Sequence, residues 1–551
     1  MLQLNAKLRS LIAKLWDRFW SGGISNPLSA IEQITYLLFM KQIDELDTKR
    51  EQDAEFTGDT FTSRFVGDYF LPHDKARAAE LAKPKPGETA AEKKAREQEL
   101  KRLAIDKSTL RWSHFRQLPA AEMLPHVQQR VFPFIKDLGD SGNFTQHMAN
   151  AVFLIPSANL LQGAVTIIEE IFVEIERDAR ESGHLHQDIQ GDVYEMLLNE
   201  ISSAGKNGQF RTPRHIIKLI SELVKPQLGH RICDPACGTA GFLLDAYHYI
   251  VTQLARQKAK KGQTYPPDED GFIRTSLSGL LTPNNKHVLE QGLHGYDFDS
   301  TMVRLALMNL MMHGIDNPRV DYQDTLSKGF TEEGDYDIVM ANPPFTGSID
   351  KGDINESLKL NTTKTELLFT ERIFTLLKMG GTAGIIIPQG VLFGASGAFV
   401  EARKKLVEEA ELKAVIALPS GVFKPYAGVA TAILVFTRGG KTQHTWFYNL
   451  ENDGLSLDDK RQRIQGSELP EVVALWNARD PKKEMGDRKA KHFFVPVQEI
   501  REKNYDLSFN RYHEAEHDET EYEEPQVILA KLKDLEDKIQ KGIAELEGIL
   551  G

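Results

Sequence analysis

Cysteine is nearly absent: the 551 residues hold two, Cys233 and Cys237. With no second pair and no nearby His-x-x-x-His, this spacing does not make a zinc site, and so few cysteines describe a reduced, cytoplasmic protein. Long apolar runs are missing too; none approaches the roughly 20 residues that span a bilayer. The first residues lack the layout of a secretory signal, because Lys7, Arg9, Lys14 and Asp17 interrupt the apolar positions. Nor is there a basic excess, the net charge being -12. A protein that grips nucleic acid alone over a long footprint carries positive charge. This chain would need local contacts or a partner that supplies the grip. Internal repeats and endonuclease or helicase motifs are likewise missing.

What is present is ordinary globular composition, 41% hydrophobic and 26% charged, in a chain long enough for two to four domains. Residues 2–47 carry helical periodicity: Leu4, Leu8, Leu11, Ile12, Leu15 and Phe19, then, after SGGISNP, Ile31, Ile34, Leu38 and Ile43. Residues 74–105 are charged and Ala-rich, an exposed helical insertion or linker whose basic runs read as a solvated face. The expected division is a mainly helical domain over 1–150 and an α/β domain over 151–440. An irregular extension follows over 441–520, and a helical tail over 521–551. In the tail Ile528, Leu532, Leu535, Ile539, Ile543, Leu546 and Leu550 recur in steps of four and three, a coiled-coil seam suited to a partner helix, or a helix packed on its own protein.

From about 150 helix-like stretches (164–175, 192–201, 215–224) lead into short β-rich runs at 230–233, 293–296, 337–340, 384–387, 414–417 and 432–436, mostly separated by helical patterns. Such alternation predicts a largely parallel sheet covered by helices on both faces. Sheets of this kind bind ligands beyond the carboxyl ends of their strands. Four strand ends stand out. DPACGTAGFL (234–243) is a small-residue turn opening a helix; no Gly-Lys-Ser/Thr follows, so it is not a P-loop. GYDFD (295–299) offers Asp297 to ribose hydroxyls, with Asp299 or Ser300 capping the next helix. DYQDTL (321–326) puts Asp324 near the end of a third strand. DYDIVMANPPF (335–345) stops a buried strand on Asn342-Pro343-Pro344-Phe345. Two prolines remove two backbone donors and fix two φ angles. For an exocyclic amine on a planar ring, the rigid turn would present the Asn342 carbonyl and a backbone carbonyl, with Phe345 as a stacking face; the alternative is a plain Asn-Pro turn with Phe345 in the core.

Together these segments resemble a known family. Asn-Pro-Pro-Phe is similar to the signature of S-adenosylmethionine-dependent amino-methyltransferases. GDVYEMLLNEI (191–201), GQFRTP (208–213), DPACGTAGFLLDA and LALMNLMMHGI (305–315), in that order, resemble the modification subunit of Type I restriction-modification systems. The likeness covers roughly residues 1–440, more weakly in the helical N-terminal region. It implies a Rossmann-like methyltransferase sheet flanked by an N-terminal helical domain and a C-terminal helical tail. The implied activity is adenine-specific DNA methylation at N6. Gln209, Phe210, Thr212 and Pro213 would border the methionine end of S-adenosylmethionine, and Asp234, Ala236, Gly238 and Gly241 would form the turn around it. Asp297 would bind ribose and Asp324 the cofactor adenine. Asn342, Pro343, Pro344 and Phe345 would hold the target base, with Phe423 in PSGVFKPYAG (419–428) either closing its other side or packing in the core. Two positions depart from the pattern: Ala240 stands where many relatives have glycine, and Arg211 where many have an aromatic residue.

The implied chemistry needs no metal and no covalent nucleophile, since a methyl sulfonium is already activated. Double-stranded DNA is the implied substrate, with the adenine flipped out of the helix. A recognition domain of a hundred residues or more has no counterpart here. The resemblance assigns that task to a separate specificity subunit, shared by two modification subunits, and cleavage to a restriction/translocase subunit. RNA adenine and protein glutamine are alternative acceptors for Asn-Pro-Pro enzymes, and a scaffold without catalysis is a further alternative.

Overall fold

The computed structural model describes residues 6–58, 60–138, 142–182, 212–259, 265–274, 281–424, 427–485, 487–514 and 525–550. The N-terminal third is helical, as the periodicity predicts. Helix Ala6–Ser21 buries Leu8, Leu11, Ile12, Leu15 and Phe19. After the Gly-Pro turn, helix Pro27–Thr57 starts on Asn26, whose side chain accepts the Ser29 N–H, and stops at Gly58 in the left-handed region. The charged insertion forms two helices, Lys75–Ala82 and Ala90–Leu103, the second opened by a reciprocal Thr89–Glu92 capping box. A two-residue ribbon of β1 (Asp68–Tyr69) and β2 (Ile105–Asp106) roots this pair. Helix Ala158–Ser182 then packs back along Ala6–Ser21.

A single nine-stranded sheet follows: β3 (Ile232–Asp234), β4 (Leu293–Asp297), β5 (Val320–Tyr322), β6 (Tyr336–Ala341), β7 (Leu377–Pro388), β8 (Ala410–Leu418), β9 (Thr431–Arg438), β10 (His444–Asn449) and β11 (His492–Pro496). Their spatial order is β11-β10-β8-β9-β7-β6-β3-β4-β5. Every neighbouring pair from β7 to β5 is parallel, β9 runs antiparallel to both its neighbours, and β10 is parallel to β8. The inner strands are apolar on both faces, TAILVF in β9 and IVMA in β6 being buried throughout, because helices cover both sides.

The helical third is bolted to the β5 side of the sheet. Buried Arg304, on helix Ser300–Met312, donates from Nε to Glu32 Oε1 at 2.7 Å. The side chain of Asn143 bonds Asp321 at 2.6 Å and accepts the Val320 N–H, occupying the open edge of β5. Arg64, Arg50 and Lys286 converge on Asp316.

The segment expected to be irregular beyond 440 instead supplies β10 and β11 to the same sheet, so the sheet does not end at that boundary. HTWFYN and HFFVP are short and aromatic, and charged text separates them. Neither offers the long β-branched alternation that marks a strand. Within the fold they are core: Trp446, Phe447, Tyr448, Phe493 and Val495 are buried. Trp476, from helix Leu469–Ala478, packs on Trp446 and donates its indole N–H to the Leu223 carbonyl at 3.2 Å.

Candidate active site

The chain lays down β3, then β4 and β5 to one side, and then returns to place β6 on the other side of β3. At such a reversal the following loops diverge and leave a crevice beyond the strand carboxyl ends. Two of the four sequence-selected turns, DPACGTAG and Asn-Pro-Pro-Phe, leave the sheet on either side of that reversal.

The β3 turn is tightly held. Asp234 is buried and accepts the Ala236 N–H at 3.1 Å. The Cys237 N–H bonds the Tyr296 carbonyl at 2.9 Å. Gly238 has φ +51, with open space where a Cβ would stand, and its N–H donates to Asp297 Oδ2 at 2.9 Å. Ala240 also adopts a left-handed conformation, φ +63, immediately before helix Gly241–Lys258. Gly241 faces helix Arg214–Val224, where a Cβ would come to 3.1 Å from Ile217. From helix Ser300–Met312, Asn309 donates to the Thr239 carbonyl at 2.8 Å, a brace not visible from the Gly-rich motif alone.

Asp297 closes β4. Its two oxygens accept the N–H groups of Gly238 and Asp299, each at 2.9 Å. Asp299, not Asp297, caps the next helix, accepting from Thr301 at 2.7 Å and Met302 at 3.3 Å. Burial raises the Asp297 carboxyl to about 6. Burial, reinforced by neighbouring Asp297, raises Asp234 to about 8. Neither forms an ion pair among the described residues. Between Asp297 and Asp299 stands Phe298, 64% exposed. Asp324 lies two residues beyond β5, and its carboxylate accepts the Leu326 N–H at 2.9 Å. Next to it, buried Thr325 donates to the Pro235 carbonyl at 3.1 Å, tying the β5 loop to the β3 turn.

At the end of β6 the Asn342 amide is sequestered from solvent, and neither Oδ1 nor Nδ2 has a hydrogen-bond partner among the described residues. Pro343 and Phe345 are buried, and Pro344 is half-buried. Phe345 meets Phe423 edge to face, with ring centroids 5.4 Å apart at 88°. A base sandwiched between two rings needs roughly 7–8 Å, twice a carbon contact distance. Of the two roles left open for Phe423, the structure shows core packing: Phe423 is buried and sits against Phe345. The loop after Phe345 is pinned by two residues the motifs did not indicate. Asn355 donates to the carbonyls of Ser327 at 2.9 Å and Phe330 at 2.7 Å. Buried Glu371 accepts the N–H groups of Lys359 and Leu360, both at 2.9 Å, and the Lys405 ammonium at 2.8 Å.

Thr212 is buried, and the Pro213 carbonyl accepts the first helical N–H bonds of Arg214–Val224, from Ile216 and Ile217. Gln209, Phe210, Arg211 and the 191–201 motif lie outside the described residues. Among the described residues no group of three His, Cys, Asp or Glu side chains is placed to hold a metal, and no helix is long and apolar enough to cross a membrane.

The core order β5-β4-β3-β6-β7-β9-β8 with antiparallel β9, a small-residue turn after β3 and an acidic end to β4 is the Rossmann-like architecture of methyltransferases. The N-6 DNA Methylase family model matches residues 185–521 and the HsdM N-terminal domain model residues 8–168, and the chain belongs to the N-6 DNA methylase family. Within it the chain is an adenine-specific DNA methyltransferase, the modification subunit of a Type I restriction-modification system. It is 28% identical over 440 residues to the Type I restriction enzyme EcoEI methylase subunit of Escherichia coli, covering 78% of this chain and 82% of that one. To the EcoKI methylase subunit of E. coli strain K12 it is 33% identical over 282 residues, 48% of each chain. A solved chain from work on assembly and conformational transition of the type I R-M system superposes with a TM-score of 0.61 at 26% identity, over 99% of both chains. The type I methyltransferase subunit of Streptococcus thermophilus shares the fold, with a TM-score of 0.60 at 19% identity over 92% of this chain and 100% of that one.

Proposed function

We propose that this subunit takes its methyl group from S-adenosylmethionine and delivers it to N6 of an adenine flipped from double-stranded DNA, guided by a separate specificity subunit. The observation that carries this reading is the Asn342 amide: sequestered, beside the strand reversal, with both ends unpaired among the described residues. A buried amide without partners costs about 1–3 kcal/mol. That cost is recovered when an outside group with a donor and an acceptor docks there. An adenine Watson–Crick edge has both, N6–H and N1.

The cofactor's fit is electrostatic. Two buried carboxylates without ion-pair partners among the described residues, Asp234 and Asp297, suit a ligand carrying a sulfonium and an ammonium charge. Asp297 would accept from the ribose hydroxyls, Phe298 would offer its exposed ring to the adenosyl base, and Asp324 would accept from that base's amino group. Ala236, Gly238 and Gly241 keep the turn small enough for close backbone approach. Gln209, Phe210, Thr212 and Pro213 would border the methionine end. When bound, the cofactor supplies a methyl group already activated on sulfur.

The chain's own task is then positioning. Asn342 Oδ1 and the Pro343 carbonyl would accept the two N6 hydrogens and stabilise positive charge as it develops on nitrogen. Pro343 and Pro344 hold those acceptors still. Phe345, braced from behind by Phe423, would stack on the flipped base, a contact worth about 1–3 kcal/mol. The tail helix Pro525–Leu550 presents Val527, Ile528, Leu529, Leu532, Leu535, Ile539 and Ile543 at 43–58% exposure. This stripe would pair with the specificity subunit, two modification subunits serving each one, with a restriction/translocase subunit completing the assembly.

The test is transfer of labelled methyl to duplex DNA by the chain alone, by the chain with its specificity subunit, and by that pair carrying Asn342→Ala. Label on adenine N6 that requires the partner and falls at least about 100-fold in the variant is the expected result. Label that appears on RNA or protein instead would overturn the DNA assignment.

A further inference from the structure

Helix Arg214–Val224 begins directly after Thr212 and Pro213, and one face of it carries an ionisable side chain at every turn. His215 Nε2 donates to Asp453 Oδ2 at 2.9 Å. One turn on, Lys218 reaches Asp268 at 2.6 Å and Asp270 at 2.7 Å. A further turn on, Glu222 accepts from Arg274 at 2.7 Å. Arg274 also grips Asp245 on helix Gly241–Lys258, the helix that the β3 turn opens. The opposing groups come from two segments without any sequence motif: 268–274, and the turn-rich stretch around 453–463.

The pair at the start of the helix is the most enclosed. His215 is 5% exposed and Asp453 2%. Asp453 is itself fixed from behind, ion-paired to Arg461 and accepting the Leu455 N–H at 3.2 Å. A bridge between Leu455 and Arg463 closes that segment on itself, and Arg463 bonds Asp270 at 2.7 Å. Although burial opposes ionisation, the His215 hydrogen bond and the Arg461 charge hold the Asp453 carboxyl below its usual range. The carboxylate is therefore favoured in its charged form.

We propose that His215 and Asp453 are a positioning pair for the methyl donor: the C-terminal segment anchors the first turn of helix Arg214–Val224 and so fixes Thr212 and Pro213 at the crevice. The inference rests on the cofactor reading above. Because the Pro213 carbonyl is the first acceptor of that helix, a displaced first turn moves Pro213 with it. Neither side chain is assigned to a reacting atom. Losing the pair loosens the bound geometry before the cofactor arrives, so the effect falls on affinity and not on the methyl-transfer step.

The experiment uses the assembled methyltransferase with its specificity subunit and a duplex substrate, comparing wild type, Asp453→Ala, His215→Ala and His215→Gln. Glutamine can place an amide N–H where imidazole Nε2 stood. We expect both alanine variants to raise KM for S-adenosylmethionine about tenfold with kcat at saturation within about twofold, and His215→Gln to recover most of the loss. Calorimetric Kd on the same variants should move in parallel. Unchanged KM with a lowered melting temperature, or an equal fall in kcat without glutamine rescue, would make the pair structural only. If Asp453→Ala does not fold, His215→Ala decides alone: a raised KM recovered by His215→Gln supports the proposal and an unchanged one overturns it. Wild-type protein that binds no cofactor defeats the functional reading itself, whereas wild type and variants binding alike defeats only this inference.

Discussion

Asp234→Asn should stabilise the cofactor-free protein while weakening cofactor binding, and the stability gain should grow with pH. The wild-type carboxyl is buried and raised to about 8, with burial as the main cause and Asp297 adding to it. In the unfolded chain an aspartate titrates near 3.9. Between those values the folded protein holds a proton that the unfolded chain releases. A raised carboxyl pKa therefore contributes stability below about pH 4 that is lost as pH rises toward about 8. The limiting slope is about 1.4 kcal/mol per pH unit for one group, or about 3 kcal/mol between pH 5 and pH 7. Asparagine keeps the acceptor for the Ala236 N–H and removes the titration. Denaturant unfolding of wild type and variant from pH 5 to pH 8 should give curves that diverge by about 3–4 kcal/mol, flattening near pH 8. Parallel curves would refute the assignment of a buried, proton-holding Asp234. Cofactor binding supplies the complementary measurement. A cationic ligand lowers both carboxyl pKa values, so wild type should release protons on binding near pH 7, seen as a buffer-dependent heat, and the variant should release fewer.

Ala240 holds φ +63, which costs an L-residue about 1–2 kcal/mol and glycine almost nothing. Ala240→Gly should raise the unfolding free energy by about 1 kcal/mol, after allowance for glycine's freer unfolded chain; a loss of stability would mean the turn relaxes differently. In the tail, Leu532→Asp with Leu535→Asp places two charges on the apolar stripe. Co-purification with the specificity subunit should be abolished while cofactor affinity stays within about twofold, because nothing in the crevice is touched. Retained assembly would move the partner surface elsewhere.

The six expected strands were legible because fully buried strands are written as short apolar runs, and IVMA, AGIII and AILVF leave little choice. β5 was legible only through Asp324, since VDY is three residues long with one fully buried. β10 and β11 were hidden by brevity and by the charged text around them. The site divides in the same way. Backbone-determined features show in sequence: the Gly238 turn, the Pro-Pro lock, and the separation of Asp297 from its neighbour Asp299, which caps the helix. Braces do not. Asn309, Asn355, Glu371 and Asp453 each act on a partner tens to hundreds of residues away, and no local spacing marks them. Phe423 was ambiguous because one aromatic residue after a strand fits a stacking wall and a core equally; only its 5.4 Å contact with Phe345 decides between them.

Those braces explain how four loops can act as one site. The β3 turn, the β4 end, the β5 loop and the Asn-Pro-Pro-Phe turn come from strands far apart in sequence, and a loop held only at its ends samples many conformations. Here each is tied to another: Gly238 to Asp297, Thr325 to Pro235, Asn355 to Ser327 and Phe330. Two of these ties are made by side chains to backbone carbonyls, so they fix chain path and leave the residues facing the crevice free to differ. Methyl transfer from an activated donor gains most of its rate from holding three atoms in line, where a misplacement of about 1 Å can cost about 100-fold. In-line transfer of that kind needs loops held rigid, and the ties between these loops, within the motifs and from Asn355 beyond them, are where this chain is braced.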